Sequence, residues 1–237
     1  MTAAINPGTP KGCERIAYAV GFQENATYSD VYGGGGAIVG LDCHLIRPIN
    51  HASDTLIVFM HPVGGGMYLH LVRQLAKQGH HVLWANSRYR GADYALMMEK
   101  VACDLGEAIC DAKERLGYSN IVLAGWSGGG SLMMWYQALA EAGAGISDTA
   151  AGDPYTVAAS RLPAANSIMM LAAHVSRHRI FTEWLDPSIS DESQPHLRDA
   201  QLNLYDAANP NQPPYSADST RTKSKVLAWA QASSRPI

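Results

Sequence analysis

The five residues Gly125-Trp126-Ser127-Gly128-Gly129 carry the clearest chemistry in this chain. Their types and spacing suit a serine lifted on a sharp strand-to-helix turn. On such a turn the residues two before and two after the serine approach so closely that neither can carry much side chain. Both are glycine here, at 125 and 129. The first N–H groups of a helix have no intrahelical partners, so they and the helix dipole would face the serine. Gly128 N–H is therefore a candidate donor to the oxyanion that forms when Ser127 attacks a carbonyl. A plain glycine-rich turn is the competing reading, and the flanking strand and helix patterns weigh against it. A second glycine-rich segment, His61-Pro62-Val63-Gly64-Gly65-Gly66, also sits between a strand pattern and a helix pattern. His61 reads as a residue that braces this loop by hydrogen bonds, not as a base.

The elements around these motifs follow from apolar spacing. Weak strand signals lie near Ala17–Phe22 and Ala37–Ile46, separated by the turn-forming run Gly33 to Gly36. The runs at 55–60, 82–85, 121–124 and 167–173 read as strands buried on both faces. Helical spacing is found over Met67–Gln78, Tyr94–Leu116 and Leu132–Ala142, with Gly79 and Gly117 as stops. Strands alternating with helices predict a parallel sheet covered on both faces, with its chemistry at the carboxyl ends of the strands. His61, Asn86-Ser87-Arg88, Ser127 and His174 all fall at such ends. Residues 143–165 read as a Gly/Ala/Ser/Pro-rich connection. After His174 the pattern turns polar and irregular, and Pro187, Pro195, Pro210, Pro213 and Pro214 argue against continuous elements.

With these motifs in this order, the chain resembles the α/β-hydrolases over roughly residues 16–174. The loop from His61 resembles the His-Gly-rich loop of the esterases and lipases of that family. The segment Leu171–Glu192 further resembles a set of larger bacterial α/β-hydrolases. The resemblance implies that Ser127 is the nucleophile of an acyl-enzyme mechanism. It also implies that the His61 loop supplies a second oxyanion donor, Val63 N–H with Gly64 next, since Pro62 has no N–H. The expected fold is an α/β-hydrolase fold, a mostly parallel doubly wound sheet lacking its last strands. Residues 1–174 form the expected core, and 175–237 a cap segment or a disordered truncated tail.

A serine hydrolase also needs a base and a carboxylate that orients it. In this family the order is serine, acid, histidine, with the acid usually after the seventh strand and the histidine after the eighth. Residues 167–173 count as the sixth strand, and the best later apolar stretch is Val226–Ala230, close to the end. The expectation is therefore a truncated or frameshifted hydrolase, impaired because its base and acid belong to an absent segment. An uncovered sheet edge and marginal stability would follow. His174 and Asp186 remain as base and acid candidates, against the blander reading that His174, His178 and His196 are cap or surface residues. The alternative is a non-catalytic binding or interaction module with a relict serine turn. Epoxide or C–C bond chemistry on the same fold is less favoured; epoxide and haloalkane enzymes of this family carry an aspartate where Ser127 stands.

Composition bounds the rest. A chain of 237 residues with 47% apolar residues fits one α/β domain with a sizeable core. A net charge of −3 and a pI near 6.3 give no reason to expect nucleic acid or an anionic membrane as partner. No run is long enough to span a membrane, and no apolar signal-peptide core opens the chain. No metal or other cofactor is expected. His174 and His178 lack the spacing context of a zinc site, and neither glycine-rich loop fits a nucleotide-binding pattern. His80-His81 reads as a solvated turn. The four cysteines form no CxxC pair, which favours a reducing, cytoplasmic setting. The expected partner is a small hydrophobic ester, hinted at by Phe181, Trp184 and Leu185.

Overall fold

The computed structural model describes residues 12–24, 35–66, 69–91, 96–176, 186, 188–189, 191, 193–203 and 206. Met67, Tyr94, His178, Phe181, Trp184, Leu185 and the stretch 226–230 lie outside the described residues. The chain divides into two compact units, Met1–Val175 and Ser176–Ile237.

The first unit contains β1 (Cys13–Gln23), β2 (Ile38–Pro48), β3 (Thr55–Phe59), α1 (His70–Lys77), β4 (His81–Ala85) and α2 (Met98–Glu114). There follow β5 (Asn120–Trp126), α3 (Gly128–Ala142), β6 (Ile146–Asp148), β7 (Pro154–Val157) and β8 (Ser167–Leu171). Six strands form one sheet in the order β1-β2-β4-β3-β5-β8. β1, β2 and β4 pair antiparallel, whereas β4, β3, β5 and β8 run parallel. β3 to α1 to β4 and then β4 to α2 to β5 wind in opposite directions from the centre. The strand order reverses between β3 and its two neighbours, which opens the crevice where such sheets place their ligands.

Alternation along the central strands explains why both faces are covered. On β3, Leu56 and Val58 join the core under α2 and α3, while Ile57 and Phe59 face the opposite cluster with Val72 and Ala76 of α1. On β4, Leu83 and Ala85 take the first side and Val82 and Trp84 the second. From α2, Val101, Leu105, Ala108, Ile109 and Ala112 bury at helical spacing. These apolar faces are driven together by the area they remove from water, about 25 cal/mol per Å².

Several elements differ from the sequence reading. α3 begins at Gly128, four residues before its first apolar position at Leu132. Glycines are poor helix formers, but here the backbone packs too closely for side chains. The connection 143–165 is not featureless: β6 and β7 form a two-stranded antiparallel sheet. β8 is a strand as expected but lies at the edge of the described sheet, only partly buried, with Met170 46% exposed. His81 is not solvated. It is buried, its Nδ1 lies 2.7 Å from the Tyr118 hydroxyl and its Nε2 2.7 Å from the His51 carbonyl.

All four cysteines are free thiols. Burial pushes Cys43 and Cys103 up to about 12 and Cys110 up to about 11, so none of these three is an ionised nucleophile near neutral pH. No helix among the described residues is long and apolar enough to cross a membrane.

Candidate active site

Ser127 caps α3 at the carboxyl end of β5, with φ 54° and ψ −123°. A non-glycine residue in this region is strained by about 1–3 kcal/mol, and such strain collects at functional turns. The turn is possible because of what surrounds it. An ideal Cβ on Gly125 would lie 2.6 Å from Gly130 Cα, and one on Gly129 would lie 2.6 Å from the Met60 carbonyl oxygen. Both are backbone obstacles that no rotamer relieves.

Backbone hydrogen bonds hold the turn against the sheet. Ser127 N–H donates to Leu171 O at 3.1 Å, and His174 N–H donates back to Ser127 O at 2.9 Å. Gly130 N–H also donates to Ser127 O at 3.1 Å. The strand that leads into the turn is fixed on both sides, because β5 pairs with β3 and with β8. Ser127 Oγ lies 3.4 Å from His174 Nε2, and both residues are half-buried. The sequence candidates Ser127 and His174 are thus neighbours. Gly128 is the first residue of α3, so its N–H has no intrahelical acceptor.

The loop that follows β3 runs beside this turn. A Cβ on Gly128 would lie 3.1 Å from His61 Nε2, and the His61 and Trp126 rings are 5.7 Å apart. Within the loop, Gly64 N–H donates to His61 O at 2.9 Å, and Gly65 N–H to Asn86 Oδ1 at 3.0 Å. Val63 N–H has only a long contact, 3.4 Å, to His61 Nδ1. Of the two donors taken from the resemblance, Gly64 is engaged in a tight turn and Val63 is the less committed.

Residues after β4 brace that loop, a role the sequence did not reveal. Asn86 Oδ1 accepts from Gly65 N–H and from Trp84 Nε1 (2.9 Å), and its Nδ2 donates to the Asp42 carbonyl and carboxylate. The Ser87 hydroxyl donates to Pro62 O, and Gly91 N–H to Val63 O. A Cβ on Gly66 would overlap the Trp84 ring. The only sequence signal was the placement of Asn86-Ser87-Arg88 at a strand's carboxyl end.

Arg88 anchors this segment in a buried ionic cluster. Its guanidinium bonds Asp104 (2.6 Å) and Glu24 (2.8 Å), with Lys100 3.9 Å from Glu24 and the Tyr155 hydroxyl donating to Glu24 at 2.6 Å. Burial disfavours the Arg88 cation, but the charge and hydrogen bonds of Asp104, with smaller help from Tyr155 and Glu24, more than offset this, so Arg88 stays protonated.

Asp186 belongs to the second unit. One carboxylate oxygen accepts the Ser188 N–H (3.0 Å) and hydroxyl (2.6 Å), and the other accepts from Arg198. Burial pushes its pKa up, but these hydrogen bonds outweigh it and hold the carboxyl below its ordinary value. No group of residues able to hold a metal ion is found among the described residues.

Strand order, the antiparallel pair at one edge and the serine turn after β5 together make this an α/β-hydrolase fold. No protein-family model matches the chain, and no curated protein matches it. Solved structures do. A brefeldin A esterase, described as a bacterial homologue of human hormone-sensitive lipase, is 18% identical, with 79% of this chain and 49% of that chain covered at a TM-score of 0.44. The esterase Est22 is 17% identical, with 79% and 52% covered at 0.44. A bacterial heroin esterase is 17% identical, with 58% and 42% covered at 0.36. The chain thus spans about half the length of the first two structures.

Proposed function

We propose that this chain carries the nucleophile centre of a serine hydrolase acting on small, apolar carboxylic esters. The observation that carries the reading is Ser127 itself, held at positive φ between β5 and α3 by glycines that admit no side chain. In the reaction, Ser127 Oγ bonds to the ester carbonyl carbon and the carbonyl oxygen takes the negative charge. Gly128 N–H and Val63 N–H would bind that oxyanion, each contributing about 3–4 kcal/mol at comparable sites. Collapse expels the alcohol and leaves the acyl group on Ser127. Water then attacks the acyl carbon and releases the acid.

Hydrolysis of p-nitrophenyl butyrate by the full chain and by Ser127→Ala tests this. The expected result is release of p-nitrophenol that saturates with substrate and is lost in the variant. Equal release by both proteins would overturn it. Saturable binding of the ester without any release would support the non-catalytic binding module instead.

A further inference from the structure

We infer that Ser87 is a positioning residue of the oxyanion site: its buried hydroxyl sets the peptide plane that aims Val63 N–H at the serine turn. The inference rests on the reading of Ser127 as a nucleophile. It adds a residue that works behind an oxyanion donor and does not touch the substrate.

Pro62 makes such control possible. Its ring fixes φ, so ψ alone sets the plane of the peptide that joins it to Val63. That peptide is planar and trans, so Pro62 C=O and Val63 N–H point in opposite directions. A bond that holds the carbonyl oxygen therefore aims the N–H. The Ser87 hydroxyl donates that bond to Pro62 O, and both residues are buried. The Ser87 oxygen also accepts Tyr89 N–H at 3.3 Å, which leaves the hydroxyl proton for Pro62. The outcome is seen at Val63. Its N–H is directed at His61 Nδ1 across a long 3.4 Å contact, and His61 Nε2 lies 3.1 Å from where a Gly128 Cβ would stand. Val63 N–H is thus turned to the side on which Gly128 lies. Its long contact is one that an oxyanion, a stronger acceptor, displaces. The next peptide is pinned separately: Val63 O accepts Gly91 N–H at 3.0 Å, and Gly64 N–H donates to His61 O at 2.9 Å.

Ser87 is itself held on both sides. Asn86 N–H donates to Asp42 O at 3.0 Å, and Arg88 N–H donates to Asp104 Oδ2 at 2.9 Å. The Arg88 guanidinium is clamped between Asp104 and Glu24. A buried ion cluster is weak evidence for stability in itself. Here it fixes the residue next to Ser87, so the hydroxyl that aims Val63 N–H has a rigid base.

The test is kcat and KM for p-nitrophenyl butyrate, with the inhibition constant of butyl trifluoromethyl ketone, on the full chain and on Ser87→Ala, Ser87→Cys and Ser87→Thr. The ketone carbon bonds to Ser127 Oγ and its oxygen becomes the oxyanion. Circular dichroism establishes that each variant is folded. The oxyanion develops on the way to the transition state and is absent from the bound ester, so a misaimed Val63 N–H lowers kcat and spares KM. Ser87→Ala is expected to lower kcat about 10- to 100-fold with KM within about twofold, and to weaken the ketone by a similar factor. Ser87→Cys keeps the volume but donates weakly, and should fall between Ser87→Ala and the parent. Ser87→Thr keeps the hydroxyl and should recover most of the rate. Folded Ser87→Ala and Ser87→Cys chains at the parent kcat would overturn the inference and leave Ser127 standing as nucleophile. A fall in kcat with undiminished ketone affinity would overturn it too. A folded parent chain with neither Ser127-dependent turnover nor ketone binding would overturn both readings.

Discussion

Gly129→Ala tests whether the serine turn and the loop after β3 work as one unit. The new Cβ would start 2.6 Å from the Met60 carbonyl oxygen, against a relaxed carbon–oxygen contact of about 3.3 Å. The two backbones must separate by roughly 0.7 Å, the difference between those distances. Overpacking of this kind costs about 1–3 kcal/mol. Replacing glycine inside a helix returns up to about 1 kcal/mol. The net loss is thus about 0–3 kcal/mol, or a melting temperature lower by up to about 12 °C for a domain of this size. The effect on chemistry is larger, because Gly128 N–H moves with α3 while Val63 N–H stays with β3. A displacement near 1 Å can cost about 100-fold in rate. We expect a roughly 10- to 100-fold slower reaction with a fluorophosphonate, on the scale of such misplacements. Gly143→Ala is the control. Gly143 closes α3 at its far end with φ 63°, and a Cβ there meets nothing within 4 Å. It should lose about 1 kcal/mol through the left-handed backbone and label at the parent rate. A folded Gly129→Ala chain that labels as fast as the parent would show that the turn and the loop are not coupled.

Asn86→Ala removes the acceptor for Gly65 N–H and Trp84 Nε1, each worth about 1–3 kcal/mol if left unpaired; kcat for p-nitrophenyl butyrate should fall with little change in KM, read from initial rates. Arg88→Met takes the guanidinium away from buried Glu24 and Asp104 and leaves Lys100 3.9 Å from Glu24, and urea titration should show a loss of about 3–5 kcal/mol. Burial lowers the His81 pKa below its ordinary 6.5, so the folded state holds it neutral. The unfolded chain then binds the proton more readily, and His81 contributes stability above pH 6.5 that is lost as pH falls through the lowered value. Urea midpoints at about pH 7.5 and about pH 5.5, either side of the ordinary histidine value, should differ more in the parent than in His81→Gln.

What the sequence revealed, and what it hid, divides along the range of the interactions. β3, β4 and β5 were legible because strands buried on both faces are continuous apolar runs. Ser127 was legible because close backbone approach demands glycine at fixed spacing. The first turn of α3 was hidden by the same glycines, since apolar periodicity starts only at Leu132. The hairpin β6–β7 lies in a Gly/Ser-rich stretch whose deeply buried anchor, Tyr155, reaches back to Glu24. Glu24, Arg88 and Asp104 are each unremarkable locally and meet only in the folded sheet. His174 stands out in the sequence only by its place at a strand's carboxyl end; its approach to Ser127 follows the backbone turn at Ala172, which an alanine does not announce.

The proposed acyl transfer depends on Ser127 being a nucleophile. Mass spectrometry of peptides from the fluorophosphonate-treated chain bears on that point without intermediaries. We expect one adduct, on the peptide carrying Ser127, and none in Ser127→Ala. An adduct on another residue instead, or an unmodified Ser127 in a folded chain, would contradict it.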